Sequence, residues 1–288
     1  MRHAQHPDLP LQPPKLVSAP VDAEYADSQR VWQGIPTIAR TPKGTLWVTF
    51  YGGGKREGKG NYVIVVRSGD DGVTWSEPQM VITHASPEVR TFDPCTWVDP
   101  LDRLWIFWSQ SSVGYDGRLG VWGMHCTDPD AAVPSWSAPE RLANGVMLNP
   151  PAVLSTGEWL FPCALWACDE AVEDHGLQDE MRSNVYCSTD CGQHLSLRGS
   201  ADVPGRHYDE HHVLELADGR LWMLVRTHYG IGQSFSRDRG RTWEPGTLPR
   251  GLPLPTDARP HPGPGTPDSA PQTPSPPCPR AGRISTRS

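Results

Sequence analysis

Long apolar runs are absent from this 288-residue sequence. No stretch approaches the roughly 18 consecutive apolar residues that a membrane-spanning helix requires. Residues 1–16 also lack the apolar core of a secretory signal. The sequence therefore predicts a cytoplasmic protein with no membrane span.

Basic clusters are missing as well. The chain has 26 basic and 33 acidic side chains, a formal charge of -7, and no run of Lys or Arg that could follow a phosphate backbone. We therefore expect no nucleic-acid partner.

The seven cysteines form no Cys-x-x-Cys pair, and an odd number without a signal peptide argues against a disulfide framework. Free, mostly buried thiols are expected, with no cofactor.

Phenylalanine is scarce, at 5 residues against 12 Trp, whereas Gly and Pro contribute 28 and 31 residues. So much Gly and Pro disfavours a helical bundle, because both residues are poor in helix interiors. Short strands joined by turns are the better prediction.

One hairpin pattern occurs four times, as GTLWVTF from Gly44, DRLWIFW from Asp102, GEWLFPCALW from Gly157 and GRLWMLV from Gly219. Two copies end in Ser-x-Asp-x-Gly-x-Thr-Trp, and degenerate endings begin at Cys126 and Ser188. In such a turn, Asp bonds nearby backbone N–H groups, Gly takes a positive φ, and Trp packs beneath the hairpin. The endings are therefore predicted to be structural turns.

This ending resembles the Asp-box, or bacterial neuraminidase repeat, of the sialidase superfamily. The resemblance covers about residues 30–248 and implies an all-β, six-bladed-type β-propeller, with four-stranded blades and a central active site. Four repeats predict a propeller truncated to about four blades, near residues 35–82, 93–142, 149–203 and 210–248, within a domain at 21–250. We expect the open edges of the first and last blades to favour self-association.

Both ends of the chain are expected to be disordered. Residues 1–20 show no strand pattern, and residues 251–288 contain 11 Pro and no aromatic side chain. Such a composition cannot bury enough surface to offset the entropy of ordering it. The abrupt change after a complete repeat also fits a frameshifted or truncated gene.

The resemblance also implies a function and site residues. It suggests an exo-acting glycoside hydrolase that removes a terminal acidic sugar from a glycan, with a carboxylic acid/base and a tyrosine nucleophile activated by Glu. Glu57, in the loop after the first hairpin, occupies the acid/base position. Glu210 and Arg226 occupy the positions of the activating carboxylate and of an arginine that binds the substrate's acid group. Further candidates for substrate binding are Arg90, Asp93, Asp116 and His211.

Two departures from the family pattern weaken this assignment. Gln33-Gly34 precedes Ile-Pro where the family has its first arginine, and no Tyr follows Tyr229, so the family nucleophile is missing. The chain is therefore predicted to be a weak or inactive hydrolase, and another acidic sugar or a neutral one stays open as the substrate. The alternatives are a non-catalytic carbohydrate-binding or interaction propeller, and a uronic-acid lyase with a His of Asp209–His212 as base. The same histidines are not expected to bind metal, because adjacent strand residues point to opposite faces.

Overall fold

Strands joined by tight turns make up nearly all of the regular structure. The computed structural model describes residues 8–112, 119–166 and 177–248, which belong to one compact unit at 1–258. The helical elements of these residues are four single 3-10 turns, at Leu9–Leu11, Ala23–Tyr25, Asp27–Gln29 and Gln178–Glu180. None of the helices described is long and apolar enough to cross a membrane.

Four antiparallel sheets each contain one copy of the repeat. The first consists of β1 (Lys15–Ser18), β2 (Gln33–Arg40), β3 (Leu46–Gly52), β4 (Tyr62–Ser68) and β5 (Met80–Thr83), in the spatial order β1-β5-β4-β3-β2. The second consists of β6 (Arg90–Val98), β7 (Leu104–Ser111), β8 (Gly120–Cys126) and β9 (Glu140–Asn144). The third consists of β10 (Ala152–Val153), β11 (Trp159–Ala164), β12 (Ser183–Ser188) and β13 (Ser196–Ala201). The fourth consists of β14 (His212–Glu215), β15 (Leu221–Thr227) and β16 (Gly230–Ser236).

Strand β1 corrects the prediction that residues 1–20 are disordered. It pairs with β5 over its whole length, from Lys15 opposite Thr83 to Ser18 opposite Met80. Val17 packs against a small apolar cluster on the outer part of the first sheet. Backbone hydrogen bonds to the edge of β5 stabilise this segment. The composition of residues 1–20 alone does not predict such pairing.

Apolar cores fill the spaces between successive sheets. Along β7, Leu104 and Ile106 pack with the first sheet, whereas Trp105 and Phe107 pack with the third. Side chains of a strand alternate between its two faces, so β7 is buried on both and reads as a continuous apolar run. A third core joins the third and fourth sheets.

The first and last sheets each have one face without a neighbouring sheet in the part of the chain described. In β15, Leu221, Met223 and Val225 are buried, but the intervening Trp222 and Leu224 are only half-buried. This alternation is typical of a sheet with one covered face. The four sheets therefore do not form a closed ring.

The turns after β4, β8, β12 and β16 are here called the Asp turns, and those after β4, β12 and β16 have the hydrogen bonds expected from the sequence. In the first, Gly72 N–H donates to Ser68 Oγ at 2.9 Å and Thr74 N–H donates to Asp70 Oδ1 at 2.9 Å. The fourth repeats both bonds, at 2.8 and 2.9 Å. The degenerate third turn keeps them at 2.8 and 3.0 Å, with His194 in place of Thr.

Three Asp turns also connect neighbouring sheets. An arginine of the preceding sheet donates to a turn carbonyl in each case: Arg67 to Ala131, Arg103 to Cys191 and Arg198 to Arg239, at 3.0, 2.7 and 3.3 Å. The first Asp turn has no preceding sheet among the described residues, and its Trp75 is 44% exposed. Trp243 of the fourth turn packs against the core between the third and fourth sheets, as predicted.

Candidate functional site

The predicted site residues lie at one end of the sheets, opposite the Asp turns. Glu57 is in the loop between β3 and β4, Arg90 begins β6, Glu210 comes just before β14, and Arg226 is near the end of β15. Asp116 lies outside the described residues. Sequence-distant segments thus supply charged groups to the same edge of the sheets.

Asp93 lies on a β-bulge, where the pairing of β6 with β7 shifts register between Phe92 and Cys95. Its φ of +47° is unusual for a residue other than glycine, although Asp and Asn tolerate this region best. Bulges redirect side chains. Asp93 is only 6% exposed, and its carboxyl interacts with Tyr51, Glu57 and Arg90.

Burial raises the pKa of Asp93 to about 7, although nearby Arg90 favours the carboxylate. The negative charges of Glu57 and Glu210 add to the increase, whereas a hydrogen bond from Tyr51 opposes it. Asp93 therefore retains its proton close to neutral pH. Burial, together with the charges of Asp93 and Glu57, also raises the pKa of the Tyr51 hydroxyl well above its usual range.

The Glu57 loop is shaped by a single buried amide. Asn61, 2% exposed, donates through Nδ2 to the carbonyls of Gly53 and Arg56 at 2.9 and 3.3 Å, and its Oδ1 accepts from Gly58 N–H at 2.6 Å. Gly53 has φ +99°, and a Cβ there would lie 2.7 Å from the Tyr62 ring, so the turn requires glycine. Glu57 itself is exposed to solvent on this anchored loop.

Glu210 and Arg226 form an ion pair at the edge of the fourth sheet. Arg226 Nη1 donates to Glu210 Oε1 at 2.6 Å, and the Arg226 side chain is still 51% exposed. The guanidinium carbon lies 5.7 Å from the centroid of the Tyr208 ring. A guanidinium has five N–H donors. The Arg226 guanidinium can therefore bind an anionic ligand while its Nη1 donates to Glu210.

His211, a predicted substrate-binding residue, is buried against the third sheet. It is 1% exposed, and its Nε2 lies 2.7 Å from the backbone oxygen of Asn184 in the third sheet. Burial lowers the pKa of His211 and favours the neutral ring, which donates to that carbonyl. The strand pattern could not distinguish a face buried between two sheets from one facing a ligand. The described residues contain no cluster of three or more His, Cys, Asp or Glu suited to a metal ion.

Tyr51 and Tyr208 are site residues that sequence reasoning missed. Tyr51 lies near the end of β3, where the aromatic pattern of the hairpin is explained equally well by packing. Tyr208 has φ +47°, a backbone conformation that no sequence signal indicated. Positive φ at a residue other than glycine often marks a functional segment.

Comparison with known proteins is consistent with this arrangement. The family model of the BNR repeat-like domain matches residues 27–262. The chain belongs to this family. The sialidase and BNR-repeat assignment made from the Asp-box resemblance is therefore confirmed. No curated protein sequence matches this BNR repeat-like chain.

Several solved structures resemble this BNR repeat-like protein in fold. A Dyadobacter fermentans protein of unknown function has a TM-score of 0.59 at 17% identity, with 82% of this chain and 72% of that one covered. Trypanosoma rangeli sialidase, in complex with the inhibitor DANA, gives 0.57 at 21% identity, with 74% and 37% covered. The intramolecular trans-sialidase of Ruminococcus gnavus, in complex with oseltamivir carboxylate, gives 0.56 at 12% identity, with 80% and 73% covered. The fold is therefore sialidase-like, and the chain spans 37% of the length of the T. rangeli enzyme.

Proposed function

We propose that this BNR repeat-like protein is an exo-acting glycoside hydrolase that removes a terminal acidic sugar from a glycan. The observation that carries the proposal is that the charges of Glu57, Arg90 and Glu210 all shift the pKa of the buried Asp93 carboxyl. Arg226 joins them through its ion pair with Glu210. Carboxyl groups near arginines are the groups needed to cleave a glycoside that bears an acid.

Each side chain has a role in this scheme. Glu57, on its exposed loop, donates a proton to the leaving glycosidic oxygen. Arg226 and Arg90 bind the acid group of the sugar, because a guanidinium pairs with a carboxylate through parallel hydrogen bonds. Glu210 accepts the proton of the attacking group. Asp93 contributes to sugar binding beside Glu57.

Turnover of aryl and alkyl glycosides of a sialic acid, a uronic acid and a neutral hexose tests the proposal. We expect the wild-type chain to release an acidic sugar, and Glu57→Gln to lower kcat/KM for alkyl glycosides roughly 10²- to 10⁴-fold, the usual contribution of a general acid. Glu77→Gln is the matched control, since Glu77 is exposed at the opposite end of the first sheet. Release of no sugar by the wild type, or full activity of Glu57→Gln, would contradict the assignment.

A second candidate function is carbohydrate binding without turnover. It is favoured by the 2.6 Å ion pair of Arg226 with Glu210, because this pair occupies the carboxylate that would otherwise activate a nucleophile. In that case the wild-type chain and Glu57→Gln would bind an acidic glycan equally well, and neither would cleave it. Calorimetry alongside the cleavage assay separates the two functions.

We further propose that the four sheets are blades of a six-bladed-type propeller. The interleaved cores and the half-exposed faces of the first and last sheets support this interpretation. Ile38, 60% exposed on the first sheet, and Trp222 on the fourth would then contact a further blade or a second chain. Sedimentation velocity across a concentration series should show self-association. A monomer at all concentrations would contradict the predicted self-association.

A further inference from the structure

Strands β2 and β6, which lie at the edges of the first and second sheets, contain the same irregularity. Each has a residue of positive φ directly before a proline, Ile35 at +51° and Asp93 at +47°. The pairing of each strand with the next one shifts register at this point. Three residues earlier, the chain has Trp32 in the first sheet and Arg90 in the second. Trp32 and Arg90 are therefore equivalent positions of successive repeats.

The side chains of these two residues also pack in the same way, each over the residue two positions later. The guanidinium carbon of Arg90 lies 3.6 Å from the centroid of the Phe92 ring. The indole of Trp32 lies over Gly34, where a Cβ atom would be only 3.1 Å from the indole Cζ2. Glycine at position 34 thus leaves the space that the indole occupies.

Tyr51 connects the two positions. Its ring centroid lies 5.0 Å from that of Trp32 and 6.3 Å from that of Phe92, both edge-on. The backbone of Trp32 is fixed as well, since its carbonyl accepts from Gly53 N–H at 3.1 Å, where the Glu57 loop begins. Tyr51 is 1% exposed, whereas Trp32 is only half-buried. The fold therefore holds a partly accessible indole beside the base of the Glu57 loop.

We propose that Trp32 is a substrate-specificity residue whose indole stacks on the apolar face of a pyranose ring, while Arg90 binds the carboxylate of the same sugar. The C–H groups on one face of a pyranose form an apolar surface that packs well against an aromatic ring. A guanidinium stacked on Phe92 through its face directs its N–H donors outward from its edge, where a carboxylate pairs with them. This inference rests on the proposed function and names its substrate class as glycosides of acidic pyranoses.

NMR of the nitrogen-15-labelled indole groups tests the contact in the wild-type chain without any turnover. The Trp32 signal is assigned by its loss in Trp32→Phe, and the Trp75 signal by its loss in Trp75→Phe. Titration with the methyl glycosides of glucuronic acid and N-acetylneuraminic acid should move the Trp32 signal to saturation with at least one of them. The signal of Trp75, 44% exposed at the opposite end of the same sheet, should stay in place. No saturable shift of Trp32 with either glycoside would overturn the proposal.

Affinities of variants separate the stacking contact from the charge contact. Trp32→Ala should weaken binding of the acidic glycoside about 10-fold, and that of methyl glucoside by the same factor, because stacking does not depend on charge. Arg90→Ala should instead remove the preference for the acidic sugar. Trp75→Ala is the matched control and should bind like the wild type. Trp32→Phe keeps a ring against Tyr51 and should lose less affinity than Trp32→Ala.

Failure of this inference is distinguishable from failure of the proposed function. If an acidic glycoside shifts the Trp32 signal but is not cleaved, the hydrolase assignment fails and the stacking contact stands. If the wild type cleaves the glycoside and both Trp32 variants bind it as tightly as the wild type, the stacking contact fails alone.

Discussion

Asp93→Asn should make the protein more stable at neutral and alkaline pH. Asn has nearly the shape of a protonated Asp, carries no charge and tolerates the φ of +47° at this bulge. Above its pKa the wild-type Asp93 must be ionised in a site where it is 6% exposed. The variant removes that charge without altering the packing.

The size of the effect follows from the pKa shift. The pKa of Asp93 rises from an ordinary 3.8 to about 7. Between these values the native state holds a proton that the unfolded state has released, so the free energy of unfolding falls as pH rises. About three pKa units at 1.36 kcal/mol each amount to about 4 kcal/mol, lost fully once the pH exceeds 7. Asp93→Asn has no carboxyl group to ionise at this position, so its free energy of unfolding does not fall in this way.

Urea unfolding followed by tryptophan fluorescence, at intervals from pH 4 to pH 8.5, measures the difference between the two proteins. The advantage of Asp93→Asn should grow across this range, reaching at most about 4 kcal/mol. Asp102→Asn is the control, since Asp102 has a φ of +61° but is exposed in a turn. A stability difference that stays constant with pH would refute the reasoning, because Asp93 would then titrate alike in both states.

Three further predictions concern ligand binding, loop order and acid stability. Arg226→Ala should weaken binding of an acidic sugar by roughly 10- to 100-fold, the worth of a charge-assisted hydrogen bond, whereas Arg220→Ala should not; calorimetry measures both. Asn61→Ala should lower the free energy of unfolding by about 2–4 kcal/mol, since several buried loop groups lose their partner, and an unchanged urea midpoint would contradict this. Hydrogen bonds from Thr74 lower the pKa of Asp70 to about 2, so its stabilisation is present above pH 4 and lost as pH falls through 2. Thermal melts from pH 2 to 5 should therefore show a shallower acid loss in Asp70→Asn than in the wild type.

The four sheets could be predicted from sequence because their information is local. Each hairpin and each Asp turn is encoded within a few residues, so even the degenerate copy at Ser188 keeps the hydrogen bonds of the others. The position of Glu57, counted from the first Asp turn, depends on the same local spacing. The negative charge of Glu57 contributes to the raised pKa values of Tyr51 and Asp93.

The environment of the site could not be predicted in the same way. Tyr51 of the first sheet packs against Phe92 of the second, and the raised pKa of the neighbouring Asp93 depends mainly on burial. His211 illustrates the same limit, since its Nε2 contacts a backbone carbonyl of the third sheet. Pairing of Lys15–Ser18 with β5 likewise depends on a distant strand edge. These features arise from long-range contacts that no local pattern encodes.

The arginine bonds to the Asp turns have a consequence for biosynthesis. In each pair the arginine belongs to the earlier sheet and the carbonyl to the later repeat, so a contact is completed only when the later repeat has left the ribosome. Each folded sheet can therefore bind the next one as it emerges during translation. The chain can fold sheet by sheet, starting from its N-terminal side. Ribosome-bound chains of increasing length should acquire protease resistance in steps, one for each repeat that emerges.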